Sequence, residues 1–213
     1  MLNIHHFVFN DFQENTYVIW DQTLACAIID PGCFRAQEQT TLTQFIKNKQ
    51  LTPALLLNTH CHIDHILGNK FVSDHYQLAL HMHQGELETY HETGRWAAMF
   101  NLPAFEIPEN RIYLKEGDQV KFGQSELKVL FTPGHSLASI SFYNEASNSI
   151  IAGDVLFKGS IGRTDLPGGD FDILANSIRT QLYTLPDETK VYSGHGPSTT
   201  IGHERAFNLY VRG

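Results

Sequence analysis

The chain has 213 residues, of which 42% are hydrophobic and 18% are charged, and its formal net charge is −8. This length supports one good core, so we expect a single domain over residues 1–213. The acidic balance and the lack of any Lys- or Arg-rich run disfavour a nucleic-acid partner. No apolar stretch is long enough to cross a membrane, so no membrane partner is predicted either.

The cysteines and the first residues both bear on the compartment. Cys26, Cys33 and Cys61 are an odd number without paired spacing, which is typical of free thiols in a reducing compartment. The segment 1–7 lacks the basic and then apolar pattern of a secretion signal. We therefore predict a cytoplasmic protein. The sequence does not indicate an oligomeric state.

The first quarter of the chain predicts three strands followed by a helix. Residues 4–9, 16–20 and 25–29 are rich in β-branched, aromatic and other apolar residues, as strands are. Asp30 opens a Pro-Gly turn, and residues 35–49 then carry apolar side chains at helical spacing. Asp30 follows a buried strand, so two roles stay open: a turn residue, or a carboxylate that orients a metal-binding histidine.

The densest group of metal-capable side chains comes next. An apolar strand over 54–58 leads into a short loop that carries His60, His62, Asp64 and His65. Alternate residues of an extended loop share a side, so the first three can point together, with His65 at the entrance of the following helix. Imidazole and carboxylate ligands suit zinc, iron or manganese.

Cys61 lies between two of these candidate ligands. The same alternation directs its side chain away from them. We therefore expect Cys61 to pack in the core and not to bind metal.

The middle of the chain is less regular. Residues 79–82 predict a short strand, and the polar segment 84–91 predicts a helix. Residues 94–105 then contain many large apolar side chains without clean periodicity. This segment is either a buried connection or a flap that lines a substrate cleft, because long irregular segments are often functional.

Strands return in the second half of the chain. They are predicted over 112–114, 119–122, 126–131, 139–143, 149–152 and 190–193, with helices over 171–182 and 199–210. His135, Asp154 and His195 each come soon after one of these strands, and a glycine precedes each of them. These strands come from distant parts of the chain. Because each is followed by a candidate ligand, we expect the strand ends to converge at one edge of a sheet. With the first cluster, seven ligands are available, which suits two ions that share a bridging carboxylate.

The order of these residues resembles the metallo-β-lactamase superfamily, whose pattern is His-any-His-any-Asp-His, then His, then Asp, then His. The resemblance implies an α/β fold, a four-layer αββα sandwich of two mixed sheets flanked by helices. It also implies His60, His62 and His135 on a first metal, Asp64, His65 and His195 on a second, and Asp154 between them. The implied cofactors are two divalent ions; zinc is expected, and iron or manganese is also compatible.

Within the superfamily, residues 152–157 and 159–165 resemble two branches. One is the short bacterial form of glyoxalase II, hydroxyacylglutathione hydrolase, and the other is persulfide dioxygenase, which uses a single iron. Both keep the same histidines, so the ligands do not separate them. True β-lactamases usually lack the bridging aspartate and carry a secretion signal, and the nuclease branches need an added RNA-binding element; this sequence favours neither.

The expected reaction is hydrolysis of a small hydroxyacyl thioester such as S-lactoylglutathione, with oxidation of glutathione persulfide as the alternative. Two bound cations would lower the pKa of a water molecule towards about 7, and the resulting hydroxide would attack the carbonyl. Asp64 is the predicted catalytic residue, because it would orient that hydroxide. A thiolate leaving group, with a reference pKa of about 8.5, can depart unprotonated.

Arg163 is the predicted substrate-binding residue. It corresponds to the lysine that follows Cys-Gly in long glyoxalase II, and it lies on a glycine-rich loop nine residues after Asp154. A guanidinium binds a carboxylate of glutathione by two hydrogen bonds. The alternative is that Arg163 braces its own loop through Asp165 or Asp170. The long form's basic C-terminal extension has no counterpart here, which weakens the case for tight glutathione recognition.

Overall fold

The structure, a computed structural model, describes residues 2–100, 102 and 106–213. The two interpretations of residues 94–105 fall partly outside the described residues, so the choice between flap and connection stays a prediction.

The first sheet has six strands in the order of the chain. They are β1 (Asn3–Phe9), β2 (Glu14–Trp20), β3 (Ala25–Ile29), β4 (Thr52–Leu57), β5 (Leu80–His83) and β6 (Arg111–Leu114). The first three pair antiparallel and the rest pair parallel, so the sheet is mixed. Among the described residues, four α-helices lie in the connections: α1 (Ala36–Asn48), α2 (Ile63–Ile66), α3 (Asn69–Tyr76) and α4 (Leu87–Trp96).

The second sheet has the order β14-β13-β10-β9-β8-β7, and only β10 and β13 pair parallel in it. Its strands are β7 (Gln119–Phe122), β8 (Ser125–Phe131), β9 (Ile140–Asn144), β10 (Ser149–Gly153), β13 (Lys190–Ser193) and β14 (Thr199–Thr200). A separate hairpin joins β11 (Leu156–Phe157) to β12 (Ser160–Ile161). The helices are α5 (Phe171–Ser177), extended by one π-helical turn over Ile178–Leu182, and α6 (Ile201–Phe207).

The layers follow from side-chain alternation along the strands. In β3, Cys26 and Ile28 enter the core beneath α1, while Ala27 and Ile29 enter the core between the two sheets. A third core lies between the second sheet and helices α5 and α6, and it includes Val191. A strand covered on both faces reads as a continuous apolar run, as 25–29 does. The predicted αββα sandwich of two mixed sheets is confirmed.

Two local predictions were wrong. The segment 59–65 does not stay extended, because α2 begins at Ile63 and includes Asp64 and His65. The closing helix is shorter than 199–210, because Thr199–Thr200 pairs as strand β14 and α6 ends at Phe207. Elements of two to four residues carry too little periodicity to be read from a sequence, and tertiary contacts fix them instead.

The fold brings the carboxyl ends of four strands to one edge of the sandwich. His60 follows β4, His135 follows β8, Asp154 follows β10 and His195 follows β13. None of the helices in the part of the chain that the structure describes is both long and apolar enough to cross a membrane.

Candidate metal centre

The first ligand cluster consists of His60, His62 and His135. One ring nitrogen from each lies within 4.8 Å of the other two. The His62 Nδ1 and His135 Nε2 atoms are only 2.8 Å apart. These residues come from two loops on different sheets, so the cluster depends on how the two loops are held together.

The second cluster consists of Asp64, His65 and His195, and one ligand atom from each lies within 4.8 Å of the other two. The Asp64 Oδ2 atom lies 3.0 Å from His195 Nε2 and 3.5 Å from His65 Nε2. Helix α2 makes this pairing possible, because it turns Asp64 towards His65 and away from the side that an extended loop would share with His60 and His62.

Asp154 lies between the two clusters. Its Oδ2 atom is 3.5 Å from His135 Nε2 and 3.5 Å from His195 Nε2. Its Oδ1 atom is 3.5 Å from His65 Nε2. Gly194 allows this approach, because a Cβ atom there would overlap the Asp154 carboxylate. One carboxylate therefore reaches both clusters, the geometry expected for a bridging ligand.

Unpaired ligand atoms show that the residues fit metal ions. His60 Nε2, His65 Nε2 and Asp154 Oδ1 are buried and have no hydrogen-bond partner. A buried polar atom without a partner costs about 1–3 kcal/mol, so three in one place call for an occupant that accepts their lone pairs. Imidazole nitrogens and carboxylate oxygens, without cysteine, are ligands that suit zinc, iron or manganese. The arrangement is consistent with a binuclear metal site.

The electrostatics of the first cluster and of Asp154 favour the protonation states that bind metal, whereas in the second cluster the carboxylates of Asp64 and Asp154 outweigh burial and raise the pKa of His65 and His195. Burial lowers the pKa of His60 well below its usual value, and burial with the neighbouring His135 lowers the pKa of His62 to about 3. Burial alone would raise the pKa of Asp154, but His65 and the other histidines hold it below its usual value. Neutral imidazoles and an ionised carboxylate are the ligand forms of these side chains.

Asp30 orients a histidine of each cluster. Its Oδ1 accepts hydrogen bonds from the Thr59 N–H at 2.7 Å and from Asn58 Nδ2 at 3.1 Å. Its Oδ2 accepts from the Thr59 hydroxyl at 2.6 Å and lies 3.2 Å from His65 Nδ1. The Thr59 oxygen is in turn 3.0 Å from His60 Nδ1. Of the two roles left open by the sequence, the structure supports orientation of histidines.

Backbone carbonyls hold two further histidines in the same way. The Arg163 carbonyl oxygen is 2.8 Å from His135 Nδ1, and the Gln13 carbonyl oxygen is 3.2 Å from His195 Nδ1. A carbonyl accepts only from a protonated nitrogen, so Nδ1 carries the hydrogen and Nε2 keeps its lone pair for the cluster. His62 differs from both, because its Nδ1 faces the cluster.

The close grouping of Asp30, His60 and His65 does not make a third metal site. Both Asp30 oxygens already accept hydrogen bonds from Thr59. The nitrogens that face Asp30 and Thr59 are the Nδ1 atoms, on the opposite side of each ring from the unpaired Nε2 atoms.

The Arg163 side chain points to a different partner from the one predicted. Its guanidinium makes two 2.7 Å hydrogen bonds to Asp165, and both side chains are largely exposed. This is the loop-bracing contact that the sequence left as the alternative. Substrate binding by Arg163 stays a prediction.

Cys61 is fully buried in the core beneath α1, as expected.

Sequence reasoning missed the residues at the start of β2. Asn15 Nδ2 donates to the carbonyl oxygens of Ser193 and Gly196 at 2.9 Å, and the Tyr17 hydroxyl donates to the Ser193 carbonyl at 2.6 Å. These bonds hold the loop that carries His195. No sequence signal marks them, because an Asn or Tyr in a strand is usually a solvent or core residue.

Comparison with known proteins agrees with this geometry. Residues 9–195 match the family described as the metallo-beta-lactamase superfamily. The chain is 38% identical to "Probable metallo-hydrolase YqgX" of Bacillus subtilis over 94% of this chain and 93% of that protein. It is 34% identical to "Hydroxyacylglutathione hydrolase GloC" of Haemophilus influenzae over 99% of this chain and 98% of that protein.

Two solved structures have nearly the same backbone. The BLEG-1 B3 metallo-beta-lactamase is 33% identical, with a TM-score of 0.89 over 99% of this chain and 100% of that chain. TTHA1623 in a di-iron-bound form is 33% identical, with a TM-score of 0.87 over 97% of this chain and 100% of that chain. The similarity covers the whole site-bearing sandwich, and the second structure shows that a chain of this architecture holds two metal ions.

Proposed function

The chain belongs to the metallo-beta-lactamase superfamily as a metal-dependent hydrolase, and from this premise we propose that it hydrolyses a small hydroxyacyl thioester such as S-lactoylglutathione. The observation that carries the proposal is the Asp154 carboxylate placed 3.5 Å from histidines of both clusters. The hydroxyacylglutathione hydrolase of Haemophilus influenzae, similar over nearly its whole length, supports the choice of substrate class.

We propose that two divalent ions occupy the clusters, with zinc as the expected metal and iron or manganese as compatible ones. When bound, such ions supply Lewis acidity and lower the pKa of a water molecule. His60, His62 and His135 would hold one of them, and Asp64, His65 and His195 the other, with Asp154 shared. The di-iron relative supports two ions and keeps iron in consideration.

The chain's own residues define the approach of the substrate and the water. His195 is the most open of the second-cluster ligands, with 28% of its side chain exposed against 12% for Asp64 and 0% for His65. The centre is therefore open at His195 and at His62, the partly exposed ligand of the first cluster, and the substrate would approach across these two histidines. Asp64 is the proposed catalytic residue, because its carboxylate would accept a hydrogen bond from the attacking water and orient it. The thiolate of the thioester, with a reference pKa of about 8.5, leaves without a proton donor.

β-Lactam hydrolysis is a second candidate, because one protein of similar structure is the BLEG-1 B3 metallo-beta-lactamase. The persulfide oxidation considered from the sequence is a third outcome, since its enzymes keep the same histidines. A small-molecule thioester is the proposed partner, and Arg163 is the proposed contact for its anionic part.

The test is to assay one preparation, with its metal content measured, on three substrates side by side. Loss of S-lactoylglutathione with about two metals per chain is expected. Oxygen uptake with glutathione persulfide, one tightly held iron and no thioester cleavage would contradict the proposal. A chromogenic β-lactam cleaved faster than the thioester would favour the second candidate instead.

A further inference from the structure

Glu86 is a fully buried carboxylate outside the proposed ligand set. It ends the helical turn Gln84–Glu86, immediately before α4. The sequence places it in a polar helical segment, where a glutamate is ordinarily a solvent-facing residue. Its complete burial therefore calls for an explanation in terms of what it contacts.

The carboxylate joins the two loops that carry the first ligand cluster. Its Oε2 accepts a 2.8 Å hydrogen bond from the backbone N–H of Cys61, the residue between His60 and His62. Its Oε1 accepts from the Ser136 hydroxyl at 2.6 Å and from the Ala138 N–H at 2.7 Å, just after His135. The two oxygens thus bind one loop each, and the loops belong to different sheets.

The segment that contains Glu86 holds the ligand loop from a second side as well. The Thr93 hydroxyl, on α4, donates to the Cys61 carbonyl oxygen at 3.1 Å. Both backbone polar groups of Cys61 are therefore bound by one helical segment, while its thiol packs in the core. The backbone between His60 and His62 has little freedom to move relative to His135.

Charge gives Glu86 a second effect. All three of its hydrogen-bond donors are neutral, and a buried carboxylate is costly unless positive charge lies nearby. The three ligands that belong to the first cluster alone are histidines, so that cluster contributes no anion except the shared Asp154. A cation bound there would be the positive charge that Glu86 lacks among its own donors.

We propose that Glu86 is the positioning residue of the first cluster: it fixes the loop of His60 and His62 against the loop of His135, and its charge favours a cation between them. Outer partners of metal ligands typically contribute 10–100-fold to metal affinity. The proposal concerns metal binding by the first cluster and holds whichever substrate the enzyme cleaves.

The test replaces Glu86 by Gln, which keeps the size but puts an amide donor where only acceptors fit. Cobalt titration of metal-free protein against a chromogenic chelator should show one of two sites weakened about 10–100-fold. In a His195→Ala background, where only the first cluster is intact, the remaining site should weaken by the same factor. Glu86→Asp keeps the negative charge but shortens the side chain. A loss of metal affinity smaller than that of Glu86→Gln would show the contribution of the charge, and the loss that remains would show the contribution of the hydrogen bonds.

Glu204 offers a matched control. It is equally buried and also accepts three hydrogen bonds, from Thr199, Gly159 and Asn208, with none of these residues in the clusters. Glu204→Gln should lower the melting temperature while leaving both cobalt affinities unchanged. If Glu86→Gln does not fold, Ser136→Ala removes one of the three hydrogen bonds of Glu86, together with the contact between the Ser136 and Ser139 hydroxyls, and should weaken the same single site.

Two results would overturn the proposal. One is wild-type affinity at both sites in folded Glu86→Gln or Ser136→Ala protein. The other is an affinity loss in Glu204→Gln as large as that in Glu86→Gln, which would mean that general destabilisation is responsible. S-lactoylglutathione cleavage does not enter the readout, so a failure here is distinguishable from a failure of the proposed function.

Discussion

The two ligand clusters share Asp154 and one edge of the sandwich, yet they carry charge differently. The second cluster includes a carboxylate of its own, Asp64, on the short helix α2. The first consists of three histidines on two loops, and its outer anions are Asp30, acting through Thr59, and Glu86. The comparison teaches that the first cluster takes its negative charge from the shared Asp154 and from outside its own ligands, whereas the second has a carboxylate of its own.

The largest effect should come from the residue that the clusters share. Asp154→Ala removes the carboxylate that lies 3.5 Å from histidines of both clusters, and it leaves three histidines in the first cluster and Asp64, His65 and His195 in the second. Removing an outer partner of a metal ligand typically costs up to about 100-fold in metal affinity. We expect Asp154→Ala to lower both metal affinity and the rate of hydrolysis by more than that. Elemental analysis after gel filtration should find less than one metal per chain. Retention of one full equivalent would show that only one cluster uses Asp154.

Asp30 tests whether an outer carboxylate serves both clusters equally. Asp30→Asn places an amide donor opposite the Thr59 hydroxyl and His65 Nδ1, which are themselves donors. Both metal affinities should fall about 10–100-fold. Cobalt titration measures the two steps, and Asp21→Asn is a control, since Asp21 accepts similar bonds from Thr23 and Gln124 away from the clusters. Loss at one site only would mean that Asp30 acts on His60 or His65 alone.

The smallest effect should come from Arg163, whose backbone and side chain have separate roles. Arg163→Ala keeps the carbonyl that holds His135, so metal content should not change. The exposed pair with Asp165 contributes little to stability, because solvent screens both charges. If the guanidinium binds a substrate carboxylate, KM for the glutathione thioester should rise about tenfold or more with kcat nearly unchanged.

The control for Arg163→Ala is an uncharged thioester, for which no change is expected. An equal loss on both substrates, or a fall in melting temperature and metal content, would assign Arg163 to loop bracing. The first cluster would then depend on the contact between Arg163 and Asp165 as well as on the Arg163 carbonyl.

The fold and the candidate ligands were predictable for a definite reason. Strands covered on both faces, such as 25–29, appear as apolar runs, and the ligands follow directly after such runs. Glu86 was not predictable, because nothing in a polar segment reveals that a carboxylate is buried between two loops. Asp64 was placed on an extended loop and His65 at the entrance of the following helix, because a four-residue helix has no periodicity of its own.

The hydrogen bonds between the start of β2 and the loop of His195 also constrain the order in which the molecule assembles. Asn15 and Tyr17 bind that loop across sequence separations of 176 to 181 residues, and Gln13 reaches His195 across 182. Contacts so distant in the chain form late, because loop-closure entropy must first be overcome. During synthesis from the N-terminus, His60, His62 and His135 emerge well before His195. A nascent chain can therefore complete the first cluster while its second is still open.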